Sequence, residues 1–84
     1  MNTSMAILVV DDMEGIRRIL TNSLTQMGIK KVVSALNGAE AWRLLQTQHF
    51  DLVISDWNMP VMTGLELIKK IRASTKHANL PVLM

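Results

Sequence analysis

Three aspartates stand at positions where carboxylates are expensive. Asp11 and Asp12 directly follow the apolar run "MAILVV", and Asp56 directly follows "DLVIS". A carboxylate at the end of a buried strand must be compensated, because like charges held close repel and one of them stays protonated unless a cation joins them. A hard divalent ion that prefers oxygen ligands is the natural partner. Magnesium fits best, since it takes an octahedron of oxygens at about 2.0–2.1 Å and keeps several of its waters. Taken singly, each aspartate reads as a turn or cap residue, and either Asp11 or Asp12 could cap a helix beginning just after it. Two adjacent acids after one strand and a third after another favour a shared site, provided the two strands are neighbours.

The elements that would position these acids can be read from periodicity. "MAILVV" is a continuous apolar run, which fits a strand buried on both faces. Met13, Ile16, Ile19, Leu20, Leu24 and Met27 then recur at spacings of three and four, predicting an amphipathic helix that Gly28 stops. "KKVVSA" predicts a second strand. Asn37 with Glu40 resembles a capping box, and Ala41, Leu44 and Leu45 form the stripe of a second helix. "DLVIS" is a third strand. Thr63 with Glu66 opens a third helix through Leu65, Ile68 and Ile71, with Lys69, Lys70 and Arg72 at its carbonyl end. "LPVLM" starts a fourth strand, with Pro81 at its edge. Strand–helix alternation at this spacing implies right-handed crossovers and an α/β fold, a parallel sheet with helices on both faces. In such sheets ligands bind beyond the carboxyl ends of the strands, which is where all three aspartates fall.

The stretch "VISDWNMPVMTG" (residues 53–64), taken with "ILVVDD" and "LPVLM", resembles the receiver domain of bacterial two-component response regulators, most closely the stand-alone receivers of chemotaxis. The resemblance runs over essentially all 84 residues and implies a flavodoxin-like sheet with the family's known strand order 2-1-3-4-5. It also implies roles. Asp56 would accept a phosphoryl group from the phosphohistidine of a sensor kinase. Asp12 would bind Mg2+ directly and Asp11 largely through water, with the backbone carbonyl of Asn58 as a further ligand. Pro60 and Gly64 would shape the loop above, Gly64 by permitting backbone angles that other residues resist. A receiver normally continues to a threonine or serine after strand four, a helix, a fifth strand ending in lysine, and a last helix. Residues 1–84 would then form an incomplete receiver, its N-terminal part, with about four strands and three helices of the usual five and five. On that reading switching is impaired, and the edge of strand four invites self-association or segment exchange. Two other readings compete. A magnesium-dependent aspartyl phosphatase of haloacid-dehalogenase type also uses a strand-end aspartate, but it wants a second aspartate where this chain has Asn58. The other is a non-signalling fragment serving as an assembly module. The leading reading is a signalling acceptor, with at most self-phosphorylation and self-dephosphorylation chemistry, and not an enzyme that turns over a substrate pool.

Composition sets outer limits. The chain is 49% hydrophobic and 19% charged, so it is built to fold. It has no cysteine, which excludes disulfides, zinc–thiolate sites and thiol nucleophiles, and points to a reducing cytoplasm. The longest apolar run is too short to span a bilayer. Net charge is only +2, and the basic residues (Arg17, Arg18, Lys30, Lys31, Arg43, Lys69, Lys70, Arg72 and Lys76) are scattered, so no nucleic-acid surface is expected. His49 and His77 have no acidic or histidine partner at ligand spacing and read as surface residues. The seven methionines read as core filler. Glu14 either tunes the charge of the site or favours the helix N-terminus, the second being the preferred reading; Trp42 reads as partly exposed, and Trp57 as a neighbour of the acceptor.

Overall fold

In the computed structural model, which describes residues 4–56 and 62–84, the elements run β1 (Ala6–Val10), α1 (Glu14–Gln26), β2 (Lys31–Ala35), α2 (Gly38–Thr47), β3 (Leu52–Ser55), α3 (Gly64–Ala73) and β4 (Val82–Leu83). The four strands form one parallel sheet in the order β2-β1-β3-β4. The alternation expected from the sequence is therefore realised, and β1 and β3 are neighbours. Trp57, Asn58 and Pro60, to which the sequence assigned roles, lie outside the described residues.

β1 is the centre of the fold, and every one of its residues is buried. Alternate side chains go to opposite faces. Ala6, Leu8 and Val10 join Ala41, Leu44, Leu45, Leu67 and Ile71 on the side of α2 and α3. Ile7 and Val9 join Leu24 and Ile29 on the side of α1. A strand covered on both faces needs a near-continuous apolar run, and "AILVV" is one.

The helix ends follow their local chemistry. Thr63 and Glu66 make a complete reciprocal capping box on α3. On α2 only half the box forms: the Asn37 side chain accepts from the Glu40 backbone N–H at 2.8 Å. α1 has no side-chain cap of its own at Met13. It ends at Met27, and Gly28 takes the left-handed conformation (φ 94°) that glycine adopts without a steric penalty.

Several expectations drawn from the sequence need correction; on α3, Leu67 and not Leu65 lies in the core. The α1 stripe is narrower than expected: Leu24 is buried and Leu20 half-buried, while Met13, Ile16, Ile19 and Met27 are exposed. Ile19 sits about 100° round the helix from Leu20, off the face that meets the sheet. His49 does have an acidic partner, since its Nε2 lies 2.9 Å from Asp51 Oδ1. His77 is half-buried, packed edge-on against Trp42 with ring centroids 5.9 Å apart.

Candidate functional site

The register sets the site. Val10 pairs with Ser55, so the next residue on each strand, Asp11 and Asp56, emerges at the same end of the sheet. The Asp56 N–H donates to the Val10 carbonyl at 2.9 Å, and the Asp11 N–H donates to the Ala35 carbonyl at 3.1 Å. Both acids are thus tied by backbone to the strand beside them. Asp12 follows on the turn into α1.

One carboxylate oxygen from each of Asp11, Asp12 and Asp56 lies within 4.8 Å of the others. Asp11 is buried, Asp56 half-buried and Asp12 exposed, so the cluster is anchored at its base and open at its rim. Asp11 Oδ1 accepts the Met13 N–H at 2.9 Å and so supplies the N-terminus of α1 with an acceptor that Met13 itself lacks. The cap role weighed for Asp11 and its role in the cluster therefore coexist. All the donors are hard oxygens, which is the chemistry of Mg2+ or a similar ion and not of a softer metal. Carboxylate oxygens converging within 4.8 Å of one another are close enough for Asp11, Asp12 and Asp56 to hold such an ion between them.

The reason for glycine at position 64 differs from the expectation. Gly64 is an ordinary first residue of α3, and Gly28 alone among the described glycines has positive φ. What excludes a side chain is proximity: a Cβ on Gly64 would collide with the carbonyl oxygen of Asp56. That carbonyl also accepts the Ser55 hydroxyl at 3.1 Å. Glycine lets the start of α3 press against the backbone of Asp56, which fixes its orientation. Glu14 does act at the helix start, as its first-turn acid, and also pairs with Arg18 at 3.3 Å.

Sequence reasoning missed Arg17. It was counted among scattered surface cations, yet its Nη1 donates to the Asp11 carbonyl at 2.7 Å. Its spacing of six from Asp11 bridges a turn and one helical turn, which no simple periodicity marks.

With this geometry in view, the chain can be set beside known proteins. Residues 7–84 match the model of the response regulator receiver domain. The chain belongs to that family. It is 48% identical over 81 residues to a CheY homolog, a chemotaxis protein of Campylobacter jejuni, covering 95% of this chain and 62% of the relative. It is 43% identical to the chemotaxis protein CheY1 of Helicobacter pylori, covering 95% and 65%. It therefore spans a little under two thirds of the length of these relatives. Among solved structures, the chemotaxis response regulator CheY4 of Vibrio cholerae superposes with a TM-score of 0.92 at 40% identity, covering 98% of this chain and 68% of that one. The response regulator TrrA of Thermotoga maritima, solved in complex with Mg2+ and BeF, superposes at 0.80 and 40% identity, covering 86% and 62%. No helix among the described residues is long and apolar enough to cross a membrane.

Proposed function

We propose that this chain is a phospho-accepting receiver of two-component signalling, with Asp56 as the acceptor and Asp11, Asp12 and Asp56 as the holders of a divalent cation. The observation that carries the reading is the convergence of three carboxylates from two adjacent strand ends, in a chain of the receiver family. A relative whose structure contains Mg2+ and BeF supports the choice of ion.

The chemistry follows from the placement. A carboxylate oxygen of Asp56 attacks the phosphorus of a kinase phosphohistidine; the new O–P bond forms as the P–N bond breaks, and the imidazole leaves with the electron pair. Such a transfer puts little covalent demand on the protein and much on positioning. Here the Asp56 backbone is held by Val10 on one side and confined by Gly64 on the other. When bound, Mg2+ supplies positive charge to the phosphoryl oxygens. Asn58 would add its backbone carbonyl, as the resemblance implies. The donor is a sensor histidine kinase, and the setting a reducing cytoplasm, consistent with a cysteine-free chain.

A smaller part of the reading concerns association. Among the described residues β4 pairs with β3 alone and Leu83 is 59% exposed, which leaves a strand edge for two copies of this chain to pair along. Two paired residues make a small ladder, and the association is expected to be weak. Sedimentation equilibrium showing only monomer at high concentration would remove it.

The test of the main reading is to treat the protein with a small phosphodonor in Mg2+ and weigh it. One phosphoryl addition is expected, dependent on the ion and absent from Asp56→Ala. Addition that survives Asp56→Ala would contradict the assignment.

A further inference from the structure

Arg17 and Arg18 are neighbours in sequence and part company in the fold. Arg18 is exposed and meets Glu14 at 3.3 Å, one turn away on the helix surface; such pairs contribute little. Arg17 is half-buried and turns back past the start of α1, where its Nη1 donates to the Asp11 carbonyl at 2.7 Å.

That carbonyl lies one residue beyond the β1–β2 ladder, whose last pair is Val10 with Ala35. Asp11 is consequently gripped from three directions. Its N–H donates to β2 at Ala35, its Oδ1 accepts from Met13, and its carbonyl accepts from Arg17. A peptide unit is planar. Fixing the Asp11 carbonyl therefore fixes the N–H of Asp12 and the direction in which Asp12 leaves the strand.

We infer that Arg17 is a positioning residue for the divalent cation, holding the Asp11–Asp12 peptide so that both carboxylates face Asp56. The inference rests on the carboxylate-site reading above. Two effects of opposite sign separate positioning from mere charge. A guanidinium seated on the Asp11 carbonyl adds positive charge on the side of a bound divalent ion, so if charge were all that mattered, removing it would tighten binding. Removing a group that orients a ligand loosens binding, commonly by about 10–100-fold.

The experiment is a magnesium chloride titration of the protein and its Arg17→Gln, Arg17→Lys and Arg18→Gln variants, followed by tryptophan fluorescence, with thermal melts in chelator to confirm folding. Arg17→Gln is expected to bind about 10-fold more weakly and Arg18→Gln to bind like the unsubstituted protein. Arg17→Lys keeps the charge but loses the planar fork; it is expected to fall between them, and it decides the question alone if Arg17→Gln does not fold. Arg17 variants that bind as well as the unsubstituted protein, or better, overturn the positioning role. A lack of response in the unsubstituted protein itself would instead overturn the carboxylate-site reading, and the inference with it.

Discussion

β3 carries an aspartate just outside each end, and the two lead opposite lives. At the entry, both carboxylate oxygens of Asp51 are engaged: Oδ2 accepts the Ala6 N–H at 2.8 Å, and Oδ1 meets His49 at 2.9 Å. The Ala6 N–H chiefly, with His49 helping, holds this carboxyl below its ordinary range. At the exit, Asp56 faces Asp11 and Asp12. The first acid is stabilised by donors and ties the start of β1 to the start of β3. The second stands among like charges, an arrangement that gains from a cation. On the function proposed above, the same residue type flanking one strand is a fastening at one end and a reagent at the other, and the neighbours decide which.

The contrast breaks most sharply at Asp56. Asp56→Ala should lose phosphoryl addition entirely while Asp51→Asn keeps it, as intact-protein mass after a phosphodonor would show. Equal loss in both variants would erase the distinction between the two ends.

Gly64→Ala should come next. Its Cβ would strike the Asp56 carbonyl, backbone that cannot swing aside. Overpacking of this kind destabilises by about 1–3 kcal/mol, and the variant should also accept phosphoryl groups more slowly. Chemical denaturation and a time course of addition would check the two parts separately.

The acid limb of stability should report the entry end. A carboxyl whose folded value is depressed stabilises the fold above its unfolded value, and that stability disappears as pH falls through the folded value. Asp51 and Glu66 both have lowered values, Glu66 mainly through the Thr63 backbone N–H. Asp51→Asn should therefore flatten the loss of stability below about pH 4. Melts across that range would show no change if the Ala6 bond contributes nothing.

The smallest effect belongs to His77, which burial pushes below its usual value. Its buried Nε2 has no hydrogen-bond partner among the described residues. The folded state favours the neutral ring, so the unfolded chain binds more protons and stability declines as pH falls below about 6.5. His77→Phe keeps an aromatic edge toward Trp42 and should remove that slope between neutral pH and the onset of the acid limb. An unchanged slope in the variant would assign it elsewhere.

Much of this was legible in the chain itself. A short apolar run with no alternation fits a strand covered on both faces, and "AILVV" is the centre of the sheet; the strand-end positions of Asp11, Asp12 and Asp56 pointed to the carboxylate cluster that the structure shows. What escaped were contacts that depend on reach and not on period. Arg17 reaches Asp11 with a long side chain across a turn. His49 and Asp51, two residues apart, meet because the entry to β3 is a bend and not yet a strand. Arg72, expected to serve the last carbonyls of α3, instead donates to the Ala78 and Leu80 carbonyls of the segment leading to β4. Lys70 lies 5.6 Å from the Trp42 ring centroid. The glycine at 64 was recognised as necessary, but its reason was another backbone arriving from β3, which no local pattern records.

The central claim, that the exit-end acids form a cation site and the entry-end acid does not, is tested most directly by melting the protein across a magnesium series. An ion that binds only the folded state at ten times its Kd adds about 1.4 kcal/mol. The melting temperature of the unsubstituted protein and of Asp51→Asn should both rise with magnesium. Asp12→Asn should melt higher than the unsubstituted protein without the ion, because one like charge is gone, and gain little when magnesium is added. A melting temperature indifferent to magnesium, or a rise that Asp51→Asn abolishes and Asp12→Asn leaves intact, would contradict the account.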